Sequence, residues 1–160
     1  MAEIKIPLPT NEQVEKINKH LTGQTSFYSE RTGHLDASTT ETLFEYDGPC
    51  YIDYLEFSLA WPEDITIRTS IKTNGEWKIV PQLNSNGSAK ASRPVAEWAD
   101  GLYISTLWDI VRYNPSSQEI KFTLSRLPRF FPEGVRFTAQ NNNATNNRSL
   151  AFNVFGRKIE

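Results

Sequence analysis

Residues 40–61, TETLFEYDGPCYIDYLEFSLAW, place two aromatic-rich segments on either side of the turn signal Asp47-Gly48-Pro49. Adjacent glycine and proline are typical of a tight turn, and aromatic and β-branched residues favour extended chain. The stretch therefore predicts two antiparallel strands joined by a short turn. It sets an all-β expectation for the rest of the chain.

Downstream segments repeat a period-two alternation of apolar and polar residues, which is typical of antiparallel strands with one buried and one wet face. Seven or eight such strands with loops of unequal length predict an antiparallel β-sandwich of jelly-roll type. Residues 102–113, LYISTLWDIVRY, fit either a buried strand or a short helix. The predicted inward positions are Ile65, Ile67, Ile71, Ile120, Phe122, Leu124, Val135, Phe137, Leu150, Phe152 and Val154.

Upstream of this region, residues 1–23 predict an extended arm and a short helix. Prolines interrupt the apolar alternation of IKIPLP, so this segment suits an edge strand or a docking peptide. Thr10 and Gln13 have capping-box spacing for a helix that ends near Gly23. A helix this short must pack on something: its own β-domain, a neighbouring subunit or a different protein. The apolar positions are Ile4, Ile6 and Leu8 in the arm and Val14, Ile17 and Leu21 in the helix. Residues 24–39 predict a linker, and residues 40–160 the β-sandwich domain.

Composition and charge narrow the function classes. The chain has 160 residues, of which 38% are hydrophobic, and a formal net charge of −2. A general nucleic-acid binder carries a basic surplus, which this chain lacks. With one cysteine no internal disulfide can form, which fits synthesis in a reducing cytosol. The sequence shows no membrane span and no signal-peptide h-region, so we expect a protein made in the cytoplasm without a signal peptide.

The histidine, cysteine and carboxylate residues of this sequence form no recognisable catalytic motif. Two histidines and one cysteine lack metal-ligand spacing, so we expect no metal and no cofactor. Cys50 begins a predicted strand, where a small buried apolar role is the ordinary one. Asp53 and Glu56 have opposite parity on one strand, so they are expected to face different sides and not to form a hydrolytic carboxylate pair. We expect a non-enzymatic protein.

Two loops carry candidate ligand or interface residues. Trp98, in the long segment 84–101, can be buried under its loop, contact a subunit or bind a ligand. Arg129, Phe130 and Phe131 form a basic-aromatic group that fits a proline-bent loop or a subunit contact better than stacking on nucleic acid. The Asn-rich segment QNNNATNN predicts a hairpin tip, because asparagine tolerates left-handed backbone.

The segments ETLFEYDGPCYIDYLEFSL and DITIRTSIKTNGEWK resemble small jelly-roll accessory structural proteins of tailed-phage virions, and SLAFNVFGRKI is similar to their final strand. In this resemblance the turn is Gly48-Pro49-Cys50 and the hairpin tip is Asn74-Gly75. The resemblance implies a self-assembling virion component, often a homotrimer, that binds other capsid or tail proteins. It implies a capsid decoration or head-fibre protein, anchored by the N-terminal arm.

A second functional reading stays open. A tail or baseplate receptor-binding module, or a carbohydrate-binding β-sandwich that recognises a surface glycan, would use Trp98 and the Asn-rich loop. A hydrolase and a cellular β-sandwich adaptor are further alternatives. The hydrolase would need two carboxylates at a set separation in a cleft.

Overall fold

A computed structural model describes Thr10, Glu12 and residues 23–61, 64–79, 108–114, 119–124 and 126–159. The described residues form ten β-strands. They are β1 (Gln24–Leu35), β2 (Thr40–Asp47), β3 (Cys50–Ala60), β4 (Ile65–Thr73), β5 (Glu76–Ile79), β6 (Trp108–Asn114), β7 (Glu119–Leu124), β8 (Arg129–Phe131), β9 (Gly134–Asn141) and β10 (Arg148–Ile159).

The strands form two antiparallel sheets that pack as a β-sandwich. Sheet A has the order β1-β10-β3-β7-β6, with β8 pairing with β3, and sheet B has the order β2-β9-β4-β5. The pairs nest along the chain: β4 pairs with β5, β3 with β7, β2 with β9 and β1 with β10. Most pairings are therefore between strands distant in sequence, and the first and last strands lie side by side.

The core is an aromatic cluster that joins the two sheets. In sheet A, the Phe57 ring lies 5.1 Å from that of Phe122 and 4.8 Å from that of Phe152. Phe137 of sheet B lies 6.2 Å from Phe57 and 6.0 Å from Phe152 between ring centroids. All four side chains are fully buried. Burial of each contributes about 1.5–3 kcal/mol, and the ring contacts add to this.

The predicted inward positions of β4, β7, β9 and β10 are confirmed. All of them are buried except Ile71, which is partly buried and packs against the core. The ambiguous segment 102–113 contains a strand from Trp108, which resolves that part in favour of extended chain. Of the predicted arm and helix, only Thr10, Glu12 and Gly23 lie among the described residues.

The predicted linker over residues 24–39 is wrong, because most of it is strand β1, paired along its length with β10. The sequence of β1 lacks a regular apolar alternation because the strand lies at the edge of sheet A. Only Phe27 and Leu35 on its inner side are large and apolar. On the same side, Arg31 donates from Nε and Nη2 to the carboxylate of Glu41 on β2, at 2.9 and 2.7 Å. The ion pair joins the two sheets at a position where the predicted linker would have made no sheet contact.

The Asn-rich segment is an inter-sheet connection and not the predicted hairpin tip, since it joins β9 of sheet B to β10 of sheet A. Asn141 is buried, and its Nδ2 donates to the carbonyl oxygens of Leu35 and Asn146 at 3.0 and 2.9 Å. Arg148 Nε donates to Asp64 Oδ2 at 2.6 Å beside the same loop. The amide side chains thus supply the hydrogen bonds of a loop that regular strand pairing does not reach.

Gly156 stands at a close approach of three strands. A Cβ built on it would lie 2.1 Å from the carbonyl oxygen of Tyr51 and 2.6 Å from Phe27 Cζ. The first of these atoms is backbone and cannot swing away. Any larger residue would therefore push β10 from β3 and β1.

We predict that Gly156→Ala lowers the free energy of unfolding by about 3 kcal/mol, as expected for an added methyl group with no room. Urea denaturation measures the change. Gly75→Ala is the control: its Cβ would meet nothing within 4 Å, and only its φ of +78° opposes alanine. That strain costs about 1 kcal/mol. Equal losses in the two variants would contradict the close approach at Gly156.

Candidate functional site

A β-bulge in β3 decides which of its side chains face away from the core. Phe155 pairs with Tyr54 while Gly156 pairs with Ile52, so Asp53 is the extra residue. Ile52 and Leu55, three residues apart, are both fully buried. Because a bulge shifts the alternation by one residue, Tyr51 and Tyr54 both lie on the outer face.

Three exposed aromatic side chains share one register on the outer face of sheet A. Tyr28 of β1 pairs with Phe155 of β10, which pairs with Tyr54 of β3. Their exposed fractions are 62%, 41% and 46%. With strands about 4.8 Å apart, the three rings form a strip about 10 Å long across the strands. We call Tyr28, Phe155 and Tyr54 the aromatic row. Neighbouring exposed apolar groups of this kind mark interaction surfaces.

The next outward-facing register, two residues along the same strands, carries hydrogen-bond acceptors. Glu30, Asn153 and Glu56 pair directly across β1, β10 and β3, and we call them the acceptor row. The Tyr28 hydroxyl donates to Glu30 Oε2 at 2.8 Å and lies 3.4 Å from Asn153 Oδ1. Its hydrogen bond to Glu30 raises the pKa of Tyr28. Burial, with the nearby charge of Glu56, raises the pKa of Tyr54. Both phenols therefore stay protonated at neutral pH.

A third register holds only short side chains. Thr32, Ala151 and Ser58 pair across the same three strands, and we call them the small row. An open groove of about 370 Å³ lies over them, and its wall includes His34 and Glu119. The Ser58 hydroxyl donates to Glu119 at 2.9 Å. The groove exists because the small row is lower than the acceptor row beside it.

On the other side of the aromatic row, Arg157 organises a charged and aromatic corner. Its Nε and Nη2 donate to the two carboxylate oxygens of Asp53 at 2.7 Å each, and Nη1 donates to Gln24 at 2.8 Å. The hydrogen bonds to Asp53 raise the pKa of Arg157. The guanidinium lies 4.9 Å from the Tyr51 ring, on which Phe130 packs at 5.0 Å. The corner continues the aromatic surface as far as β8.

Of the ligand or interface residues predicted from the sequence, one lies on this outer face of sheet A. Phe130 is exposed and belongs to the corner, Arg129 is half-buried, and Phe131 is buried in the core, where it cannot serve as an exposed contact. The remaining predicted residues lie outside the described part of the chain: Ile4, Ile6, Leu8, Val14, Ile17, Leu21 and Trp98.

The aromatic row was missed for two reasons. Tyr28 lies in the segment interpreted as a linker, and the bulge at Asp53 shifts the parity of β3. The same bulge makes the predicted opposite facing of Asp53 and Glu56 wrong. Asp53 binds Arg157 on the outer face, where Lys121 Nζ also lies 3.4 Å from Glu56. One signal for the aromatic row was present in the sequence. The inward alternation of Leu150, Phe152 and Val154 makes Phe155 an outward position, and a large apolar side chain there is unusual.

The groups considered for chemistry are engaged structurally. Cys50 is fully buried, as its structural interpretation expects, and burial raises the pKa of its thiol to about 12. Within the described ranges, no three His, Cys, Asp or Glu side chains are grouped so as to hold a metal ion. None of the helices in the same ranges is long and apolar enough to cross a membrane. Comparison of the sequence with protein-family models and with curated proteins finds no match.

We predict that Cys50 does not react with Ellman's reagent at pH 8 in the folded protein and reacts fully in denaturing urea. The reactive species is the thiolate, and a pKa of about 12 leaves almost none at that pH. Absorbance at the thiolate product band follows the reaction. Rapid native labelling would show that Cys50 is accessible and would contradict its burial.

Proposed function

We propose that this protein is a non-enzymatic structural protein of a bacteriophage virion, a capsid decoration or head-fibre protein. In this proposal residues 1–23 anchor it to other virion proteins and the outer face of sheet A is presented to a partner. The observation that carries the proposal is the aromatic row. It lies on an open sheet face, which suits contact with another molecule, whereas small-molecule sites are concave.

The strand order supports a jelly roll. Nested pairing of β4 with β5, β3 with β7, β2 with β9 and β1 with β10 gives two four-stranded sheets, with β6 and β8 as additions. A double-sheet jelly roll has eight strands and is frequent in viral capsid and lectin domains. Together with the resemblance of residues 41–59 and 64–78 to accessory virion proteins, this favours the viral setting.

A binding role without catalysis is supported by the state of the ionisable groups. The carboxylates that a hydrolase would need are held in ion pairs: Asp53 with Arg157, Glu56 with Lys121 and Asp64 with Arg148. Cys50, the only thiol, is buried and protonated. In these ion pairs the three carboxylates stabilise strands and loops.

A second candidate is a receptor- or carbohydrate-binding module of a tail or baseplate. It is favoured by the acceptor row, because carboxylate and amide oxygens beside exposed rings suit a hydroxyl-bearing ligand. In both candidates a homo-oligomer, with a trimer favoured, would add the contributions of weak single sites through effective concentration.

We predict that deleting residues 1–23 leaves the sandwich folded and converts an oligomer, with a trimer favoured, to a monomer. The described sandwich begins at Gln24, so the deletion removes none of its described strand residues. Multi-angle light scattering measures the mass, and far-UV circular dichroism with urea denaturation checks the fold. Unchanged mass in the deletion variant, or a monomeric full-length chain, would contradict self-assembly through the arm.

A further inference from the structure

We propose that the outer face of sheet A binds a neutral, hydroxyl-rich glycan laid across β1, β10 and β3. Sugar rings would stack on the aromatic row, their hydroxyls would donate to the acceptor row, and the chain would continue over the small row. This inference rests on the proposed role of that face as a contact surface. It does not depend on the role of residues 1–23.

The aromatic row has the shape of a stacking platform. Tyr28, Phe155 and Tyr54 lie side by side on three adjacent strands, so the strip is about 10 Å long, comparable to a disaccharide. Phe155 belongs to an inner strand of the sheet, and its exposed ring has no polar tip that water would solvate. An apolar ligand surface such as the face of a pyranose ring would cover it.

The acceptor row supplies the polar half of the recognition. Glu30, Asn153 and Glu56 offer carboxylate and amide oxygens at the next outward-facing register, two residues from the rings. The Tyr28 hydroxyl already donates to Glu30 at 2.8 Å, so a hydroxyl above the aromatic row lies within reach of an acceptor. Hydrogen bonds from hydroxyls to ionised carboxylates are short and strong, which favours a ligand rich in donors.

The charges of the acceptor row select against anionic ligands. Two of its three members are carboxylates, and Lys121 lies near one of them at 3.4 Å from Glu56. A phosphate, sulfate or uronic acid group placed over the row would meet Glu30 at close range. Single-stranded nucleic acid also stacks on aromatic rings, but it needs a basic groove for its backbone. A neutral glycan satisfies the rings and the acceptors together.

The groove over the small row gives the ligand room to continue. Thr32, Ala151 and Ser58 are short, and the groove of about 370 Å³ above them adjoins the acceptor row. His34 and Glu119 on its wall offer further polar groups. A glycan that crosses from the rings to the groove would contact three successive outward-facing registers. This length of contact predicts a preference for polymers over single sugars.

Affinity gel electrophoresis with the full-length protein tests the proposal. The probes are the neutral polysaccharides dextran, mannan, arabinogalactan and xylan, with the anionic alginate and hyaluronan for comparison. We expect at least one neutral polysaccharide to retard the protein and the anionic ones to leave its mobility unchanged. Failure of all neutral probes, or retardation by the anionic probes alone, would overturn the proposal.

Two variants and a control locate the site. Phe155→Ser removes the centre of the aromatic row and is expected to weaken binding about tenfold, the size of one ring contact. Glu56→Gln keeps the shape, removes one charge and is expected to weaken binding by a smaller factor. Ile79→Ser is the matched control, since Ile79 is 59% exposed on β5 of the other sheet. Equal binding by Phe155→Ser and Ile79→Ser would overturn the assignment to this face.

Light scattering on the same samples separates this proposal from the proposed function. A glycan site predicts that Phe155→Ser keeps the mass of the full-length protein. A drop in mass without loss of retardation would mean that a second copy of the chain covers the aromatic row, and would overturn the glycan site. Loss of glycan binding with normal arm-dependent assembly would leave the structural role of residues 1–23 intact.

Discussion

The contact of Phe57 and Phe152 in sheet A with Phe137 in sheet B is the interaction on which the rest of the structure depends. It joins strands far apart in sequence, so the nested pairing becomes favourable only when both inner faces are covered. Long-range pairing has a large entropic cost of loop closure, which burial of these rings offsets. The polar links at the rim, Arg31 with Glu41 and Arg148 with Asp64, then close the edges that apolar contact leaves open.

The same pairing registers build the outer face. Side chains alternate between the two faces of a strand, so the buried residues of β1, β10 and β3 determine which residues face outward. The aromatic, acceptor and small rows are these outward residues, aligned by the same pairing. The bulge at Asp53 is the one departure. It keeps Ile52 and Leu55 in the core and brings Tyr54 into line with Phe155. Bulges next to binding sites commonly re-aim a side chain in this way. Gly156 makes the close strand approach beside the bulge sterically acceptable.

The sequence predicted the inward apolar positions of four strands. Alternation placed these residues correctly in β7, β9 and β10 and in β4, although β4 also buries Thr66 and Ser70 at the positions between them. It failed for β1, where Arg31 takes an inner position and forms an ion pair with Glu41 on β2 of the other sheet. It failed again at Asp53, because no local pattern announces an extra residue in a strand. The aromatic row depends on both features, so the strand registers are needed to bring Tyr28, Phe155 and Tyr54 together.

The central claim is that the aromatic side chains divide by face: the inner ones stabilise the sandwich and the aromatic row serves binding. Urea denaturation of Phe152→Ala and Phe155→Ala, three residues apart on β10, tests this most directly. The account predicts that the free energy of unfolding falls by about 3–5 kcal/mol for the buried Phe152. For Phe155, whose ring contacts only its cross-strand neighbours, it falls by about 1 kcal/mol or less. Equal large losses would contradict it, because Phe155 would then be part of the packing that holds the fold.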